Sequence, residues 1–320
     1  MKLNNSQIAL FSKVGQRATF GLSTYEIAKK NNNLIVLTSD VSTSAGLDRL
    51  KSNLKSQFID VGISEQDLIG VSSGLSFVGY DVVATSFAPF ITTRCLEQIK
   101  INLGYMKNKV ILVGLASGIS LGNLGFTHCC IEDISLIRSI PNISIISPCD
   151  CSEVAKAVSA AIEHKNSVYI RLTGDKESEQ VNKKDYKFQI GKNIELIKGK
   201  DLMILATGSI VSLALSVSSK LHKLGIQAGV TNVHTLKPID EKNIIKVFKE
   251  YKNVATLEEH SEIGGLSSII SDLKNKHDIK KKHTTFALPS NYFSGGDYRD
   301  LLNINGLSES KIIKKLKNIL

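Results

Sequence analysis

Much that would place this chain in a familiar class is missing from it. No apolar run reaches the roughly 20 residues that a membrane-spanning helix needs. The stretch from Met1 to Gln16 lacks the charged, then apolar, then small-residue succession of a secretory leader, so a cytoplasmic location is expected. The five cysteines, Cys95, Cys129, Cys130, Cys149 and Cys151, are odd in number and have no leader ahead of them, which argues against a disulfide framework. Neither Cys129-Cys130 nor Cys149-Asp150-Cys151 has zinc-site spacing, and small buried hydrophobes are the expected role. The formal charge is +10, but no aromatic residues alternate with the lysines to stack bases, so no nucleic-acid partner is expected. Runs such as Lys280-Lys281-Lys282 read as solvated surface, and a positive field suits small anionic ligands.

What is present is an alternation of short apolar runs with helical patterns. The 320 residues suggest about two domains. Leu34–Leu37, Val82–Ala84, Val110–Val113, Ile143–Ile146 and Val168–Leu172 read as strands, with helical stretches at Ile69–Phe77, Thr92–Leu103 and Ile131–Ile140 between them. Continuous β-branched runs between helices imply strands buried on both faces, hence mostly parallel sheets. Asp150 predicts an N-cap, with Glu153 returning a bond to its N–H in a capping box. A Lys-, Asp-, Glu- and Asn-rich stretch near Gly174 to Lys200 marks a linker. Beyond it Leu202–Ala206, Val230–Val233 and Val254–Leu257 restart the alternation, with a helical stripe of Ile210, Ala214, Val217, Leu221 and Leu224 closed by Gly225. The expected fold class is therefore α/β, two three-layer domains with mostly parallel sheets, the first over 1–178, a linker over 179–195 and the second over 196–320.

Three segments carry candidate chemistry. Glu65, in Ile63-Ser64-Glu65-Gln66, falls in the first turn of a helix after a strand, where the helix dipole favours a carboxylate. Phe87 and Phe90, in Ser86-Phe87-Ala88-Pro89-Phe90, follow the strand at Val82, where an apolar wall at a strand's C-terminal end suits a ligand. The glycine-bearing run from Gly118 to His128 has no Gly-Lys-Ser/Thr and is not a P-loop. Its glycines permit tight turns, and His128 at its end is placed to donate to a substrate oxygen or shuttle a proton. A plain first-turn glutamate, core phenylalanines and a structural histidine are the competing readings of the same residues.

These segments occur in order with Arg94, Glu97-Gln98-Ile99, Ile131-Glu132-Asp133-Ile134, Arg138-x-Ile140-Pro141-Asn142 and Tyr169-Ile170-Arg171-Leu172. Together they resemble the pyrimidine-binding domain of transketolases and of their split C-terminal subunits. Leu202 to the end, with Glu258-Glu259-His260-Ser261 and Gly264-Gly265-Leu266, resembles the transketolase C-terminal domain. The resemblance implies a transferase that uses thiamine diphosphate to move a two-carbon ketol unit between a ketose or its phosphate and an aldose or its phosphate. It implies that Glu65 hydrogen-bonds N1′ of the cofactor's aminopyrimidine, that Phe87 and Phe90 surround that ring, and that His128 stands beside the reacting sugar carbons. Arg171 and Arg94 match arginines that grip a substrate phosphate, and Asp40 and Ser44 align with a loop lining the same site. The family holds its diphosphate and Mg2+ or Ca2+ with a Gly-Asp-Gly motif and a downstream Asn, and this sequence has no Gly-Asp-Gly. The resemblance therefore implies a partner subunit carrying that motif, an α2β2 heterotetramer with sugar-phosphate substrates, and no metal ligand in this chain. Leu124 and Ala116 stand where many transketolases carry an acidic residue and a histidine, which puts ordinary pentose phosphates in doubt. Two relatives keep the cofactor but change the reaction, the β subunits of 2-oxoacid dehydrogenase decarboxylases and deoxyxylulose-phosphate synthase. A non-catalytic regulatory or dimerisation partner is the reading from another class.

Overall fold

The computed structural model describes residues 2–174 and 179–320. The last residues of the expected first domain, 175–178, lie outside the described residues. Twelve strands are formed among the described residues, and they divide into two sheets. In chain order they are β1 (Leu34–Thr38), β2 (Phe58–Asp60), β3 (Asp81–Phe87), β4 (Val110–Leu115), β5 (Ile143–Ile146), β6 (Ser167–Arg171), β7 (Ile194–Ile197), β8 (Leu202–Thr207), β9 (Ala228–Asn232), β10 (Thr235–Lys237), β11 (Asn253–Ser261) and β12 (Thr284–Leu288). The first sheet has the order β10-β5-β6-β4-β3-β1-β2 and the second β12-β11-β8-β9-β7. Every pairing among β1 to β6 is parallel, as is every pairing among β8, β9, β11 and β12. The two antiparallel strands, β10 on β5 and β7 on β9, each lie at a sheet edge.

Both faces of the first sheet are covered, which is why β1, β4, β5 and β6 are buried at every position. On one face the helices Asn5–Ala28 and Cys151–Glu163 pack together, and Phe20, Val154 and Val158 meet Val36, Val83 and Val113. On the other, Leu68, Ile69, Ile134 and Ile137 meet Leu112 and Val82 in a core that continues into Leu205, Val254, Leu266 and Ile270 of the second half. The two halves therefore share one apolar core, and β10, from the second half, completes the first sheet. The segment after the described gap is tied down as well: the Val181 and Asn182 N–H groups donate to Asp150 Oδ2 at 3.0 and 2.7 Å.

Several local expectations are corrected. Asp150 does cap its helix, accepting from Glu153 N at 2.8 Å. Glu153 does not complete the capping box. Its Oε2 accepts from Cys149 N at 2.7 Å, and Asn232 and Tyr186 also donate to this carboxylate, so tertiary partners outcompete the local bond. The helix expected over Thr92–Leu103 is a short α-helical turn, Leu96–Gln98, running into a π-helical stretch, Ile99–Tyr105. Leu224 is 55% exposed and does not belong to the buried stripe, while Gly225 adopts the left-handed conformation (φ 81°) that ends that helix. All five cysteines are buried. Among the described residues no helix is long and apolar enough to cross a membrane.

Candidate active site

Because β1, β3, β4 and β6 are parallel, their C-terminal ends gather the loops at 39–46, 88–95, 116–132 and 172–174 along one edge, the usual ligand-binding edge of an open α/β sheet. Glu65 lies there, in the first turn of the helix Glu65–Phe77, only 4% exposed. Its Oε2 accepts from Arg94 Nη1 at 2.8 Å. Its Oε1 has one long contact, 3.5 Å from Ser39 Oγ, and Ser39 makes its closer bond to Ser86 at 2.8 Å. One carboxylate oxygen is thus left with acceptor capacity although the group is buried.

Phe87 ends β3 and Phe90 lies in the single turn Ala88–Ile91 that follows, with Pro89 fixing its start. The rings do not make the flat wall expected from the sequence. They stand at 89° with centroids 6.3 Å apart, because the turn rotates the chain between them, and they form a corner. His128 packs edge-on against both, 5.4 Å from Phe90 and 6.5 Å from Phe87, with Thr127 Oγ1 3.1 Å from its Nδ1. The Arg94 guanidinium lies 4.2 Å over the Phe90 ring. Glu65, Phe87, Phe90, Arg94 and His128 are therefore one cluster drawn from three loops.

A cavity of about 860 Å³ lies along the same edge, lined by Ser44, Ala116, Ser120, Leu121, Thr173 and, from the first helix, Lys13 and Arg17. Arg17 follows Gly15, whose φ of 80° breaks that helix and turns the next residues toward the cavity. Burial lowers the Arg17 pKa, and no ion pair satisfies its guanidinium among the described residues. Sequence reasoning missed it. The usable signal was an arginine two residues after a glycine in an otherwise helical pattern.

Three expected site residues are not placed in the expected way. Arg171 does not present a free guanidinium to a substrate phosphate. It is 1% exposed, its Nε donates to Asp133 Oδ1 and Oδ2 at 3.0 and 2.8 Å, and its Nη2 donates to the Glu259 carbonyl at 2.8 Å. Burial alone would lower its pKa, but the charges of Asp133 and Glu259 raise it instead. Asp40 is exposed with φ 56°, and its N–H donates to Asp60 Oδ1 at 2.8 Å. Its neighbour Ser39 is the residue that reaches Glu65. Arg94 contacts Glu65 and Phe90, the groups expected to face a cofactor ring, where a phosphate-gripping role was expected.

The Glu258-Glu259-His260 run lies at the boundary of the two halves. Glu258 accepts from Leu266 N and Ser267 N at 2.5 and 2.8 Å, yet burial pushes its pKa up to about 7. Glu259 Oε1 accepts from Ile119 N at 2.9 Å, and its Oε2 accepts from Tyr298 at 2.6 Å. Among the described residues no group of three or more His, Cys, Asp or Glu side chains is arranged to hold a metal ion.

Comparison with known proteins places this architecture. Residues 12–176 match the transketolase pyrimidine binding domain, and residues 191–312 match the transketolase C-terminal domain. The chain is 31% identical over 298 residues to an apulose-4-phosphate transketolase subunit of Phocaeicola vulgatus, covering 93% of this chain and 95% of that one. It is 33% identical over 247 residues to a 6-deoxy-6-sulfo-D-fructose transketolase subunit of Clostridium sp., covering 77% and 76%. Among solved structures it superposes with a TM-score of 0.85, at 30% identity and over 95% of this chain and 97% of the other, on a split gene transketolase in an inactive beta4 tetramer.

Proposed function

We propose, from the premise that this chain belongs to the transketolase family, that it is one subunit of a thiamine-diphosphate-dependent enzyme moving a two-carbon ketol unit from a ketose to an aldose. The observation that carries this reading is the Glu65 carboxylate, buried to 4% beside an aromatic corner and a histidine while one of its oxygens keeps only a 3.5 Å contact. That donor set fits a flat heteroaromatic ring with a protonatable nitrogen. When bound, thiamine diphosphate supplies the nucleophilic carbon that accepts the two-carbon unit.

The residues of this chain have distinct tasks around it. Glu65 Oε1 holds the proton at the pyrimidine N1′, since a buried carboxylate facing a ring nitrogen is suited to share one. Phe87 and Phe90 pack the pyrimidine, each such aromatic contact adding about 0.5–1.5 kcal/mol beyond the area buried. His128 moves a proton at a substrate oxygen. Arg17, with Lys13 and the Ser44 hydroxyl, takes the anionic end of the sugar in place of Arg171. The sugars named for the two relatives carry a phosphate and a sulfo group, which supports an anionic substrate.

The diphosphate and its Mg2+ or Ca2+ are assigned to a partner chain bearing a Gly-Asp-Gly motif, in an α2β2 assembly. The inactivity stated for the beta4 tetramer of a split transketolase supports this dependence on a partner. The test is reconstitution with the partner and cofactor. Ketol transfer is expected only from the mixture, and Glu65→Gln is expected to lower kcat by about 10²-fold or more with at most a small shift of the unfolding midpoint, that of a surface ion pair. Full turnover in that variant overturns the reading.

A further inference from the structure

The cavity that holds Arg17 and Lys13 is not built by the first half of the chain alone. Asp297 and Tyr298, from the far end of the second half, also line it. Their segment is fixed onto the glycine loop by several independent contacts. Gly296 N donates to Gly122 O at 3.0 Å. Phe126 of the loop packs against Tyr292 and Phe293, with centroids 4.5 and 5.1 Å away. Tyr298 donates to Glu259, whose other oxygen holds the loop's Ile119 N–H. Gly122 lies close under the segment, since a Cβ there would overlap Leu301 Cδ1 and meet the Gly296 carbonyl oxygen at 3.0 Å. Two remote pieces of sequence thus form one wall.

Among the described residues, Asp297 is the only acidic one lining the cavity. Its Oδ1 caps the helix Tyr298–Ile304 by accepting from Arg299 N at 2.9 Å, and among the described residues no ion pair joins it to Lys13 or Arg17. An ionised carboxylate only accepts hydrogen bonds. Beside cations that take an anion, the partners it suits are hydroxyl groups. The glycine loop offers no carboxylate of its own to the cavity, since it presents Ser120, Leu121 and Asn123, and Ala116 precedes it.

We propose that Asp297 is a specificity residue, its free carboxylate oxygen accepting a hydroxyl hydrogen of the sugar, so that the second domain takes part in substrate choice. This rests on the reading of the cavity as the substrate site. The experiment uses the assembled enzyme with its partner and cofactor, and a panel of aldose phosphates from triose to hexose, each beside a deoxy analogue. Asp297→Asn and Asp297→Ser both keep a competent helix cap. In Asp297→Ser the KM of the best acceptor is expected to rise about tenfold or more, as for loss of a hydrogen bond to a charged group. Its kcat is expected to stay within about twofold, and the preference over the deoxy analogue to collapse. Asp297→Asn, which retains an acceptor, falls between. Inhibition by inorganic phosphate is not weakened by either change, whereas Arg17→Met weakens it. An unchanged KM and unchanged deoxy discrimination in Asp297→Ser overturn the proposal. If Arg17→Met still weakens phosphate inhibition in that case, the cavity reading survives. If it does not, both fall together.

Discussion

Two arginine–carboxylate pairs in this chain have the same length and opposite surroundings. Arg171 meets Asp133 at 2.8 Å with the two side chains 1% and 0% exposed, and Arg94 meets Glu65 at 2.8 Å with 46% and 4%. Distance does not separate them, but the remaining partners do. Asp133 also accepts from Tyr169 at 2.7 Å, and Arg171 also holds the Glu259 carbonyl across the boundary between the halves, so that cluster is closed. Glu65 has an oxygen to spare and an arginine that faces water. The closed pair joins two domains, and the open pair leaves a carboxylate oxygen with acceptor capacity.

The largest expected effect comes from breaking the closed pair. Arg171→Met leaves the buried Asp133 carboxyl without its cation and without its hydrogen-bond donor, which costs about 3–5 kcal/mol of stability. A urea titration of the isolated chain reads this as a lower midpoint. Asp133→Asn combined with Arg171→Met removes both charges and is expected to cost less than the sum of the single changes. A loss equal to the sum of the single changes would show that the pair is not a unit.

A smaller effect sharpens the same boundary through pH. Burial pushes the Glu258 pKa from 4.5 to about 7 and lowers the His260 pKa from 6.5 to about 4, so both are neutral in the fold between those limits. Glu258, with its raised pKa, contributes stability that is present below pH 4.5 and lost as pH rises to about 7. His260, with its depressed pKa, contributes stability that is present above pH 6.5 and lost as pH falls to about 4. In the window they share, the folded chain keeps one proton on Glu258 and the unfolded chain one on His260, so their slopes cancel. Glu258→Gln is expected to expose a stability that rises with pH there, and His260→Gln one that falls, each by up to about 1.4 kcal/mol per pH unit. Denaturation midpoints of the three proteins across pH 4.5 to 6.5 check the signs, and parallel slopes would sink the argument.

The same contrast explains what the sequence disclosed. The parallel sheets were legible because β1 and β4 are continuous apolar runs, a pattern fixed locally by burial on both faces. Glu65, the Phe87–Phe90 pair and His128 were legible because each belongs to a segment that follows a strand end. The fate of Arg171 was not. Its partners lie 38 and 88 residues away, and an arginine closing a strand reads the same whether it meets a phosphate or another domain. Arg17 and Asp297 were hidden for a similar reason: one depends on a break in a helix at Gly15, the other on a segment of the second half folding back onto the first. The capping box failed because Glu153 found Asn232 and Tyr186, contacts that no local pattern encodes.

The smallest effect belongs to the open pair. Arg94→Met removes the ion pair to Glu65 and the cation over Phe90. Glu65 is itself buried, so a naive reading assigns this change the same penalty as Arg171→Met. The surroundings argue otherwise. Arg94 is the solvent-side cover of the carboxylate, and at 46% exposed its departure lets water reach the oxygen it leaves. The loss is then that of a surface pair, about 1 kcal/mol or less, with about 0.5–1 kcal/mol more for the ring contact. Run beside Arg171→Met in the same titration, Arg94→Met is expected to shift the midpoint by about half as much or less. A shift of equal size would mean that water does not enter, that the Glu65 pocket is as closed as the domain boundary, and that the two pairs do not differ in kind.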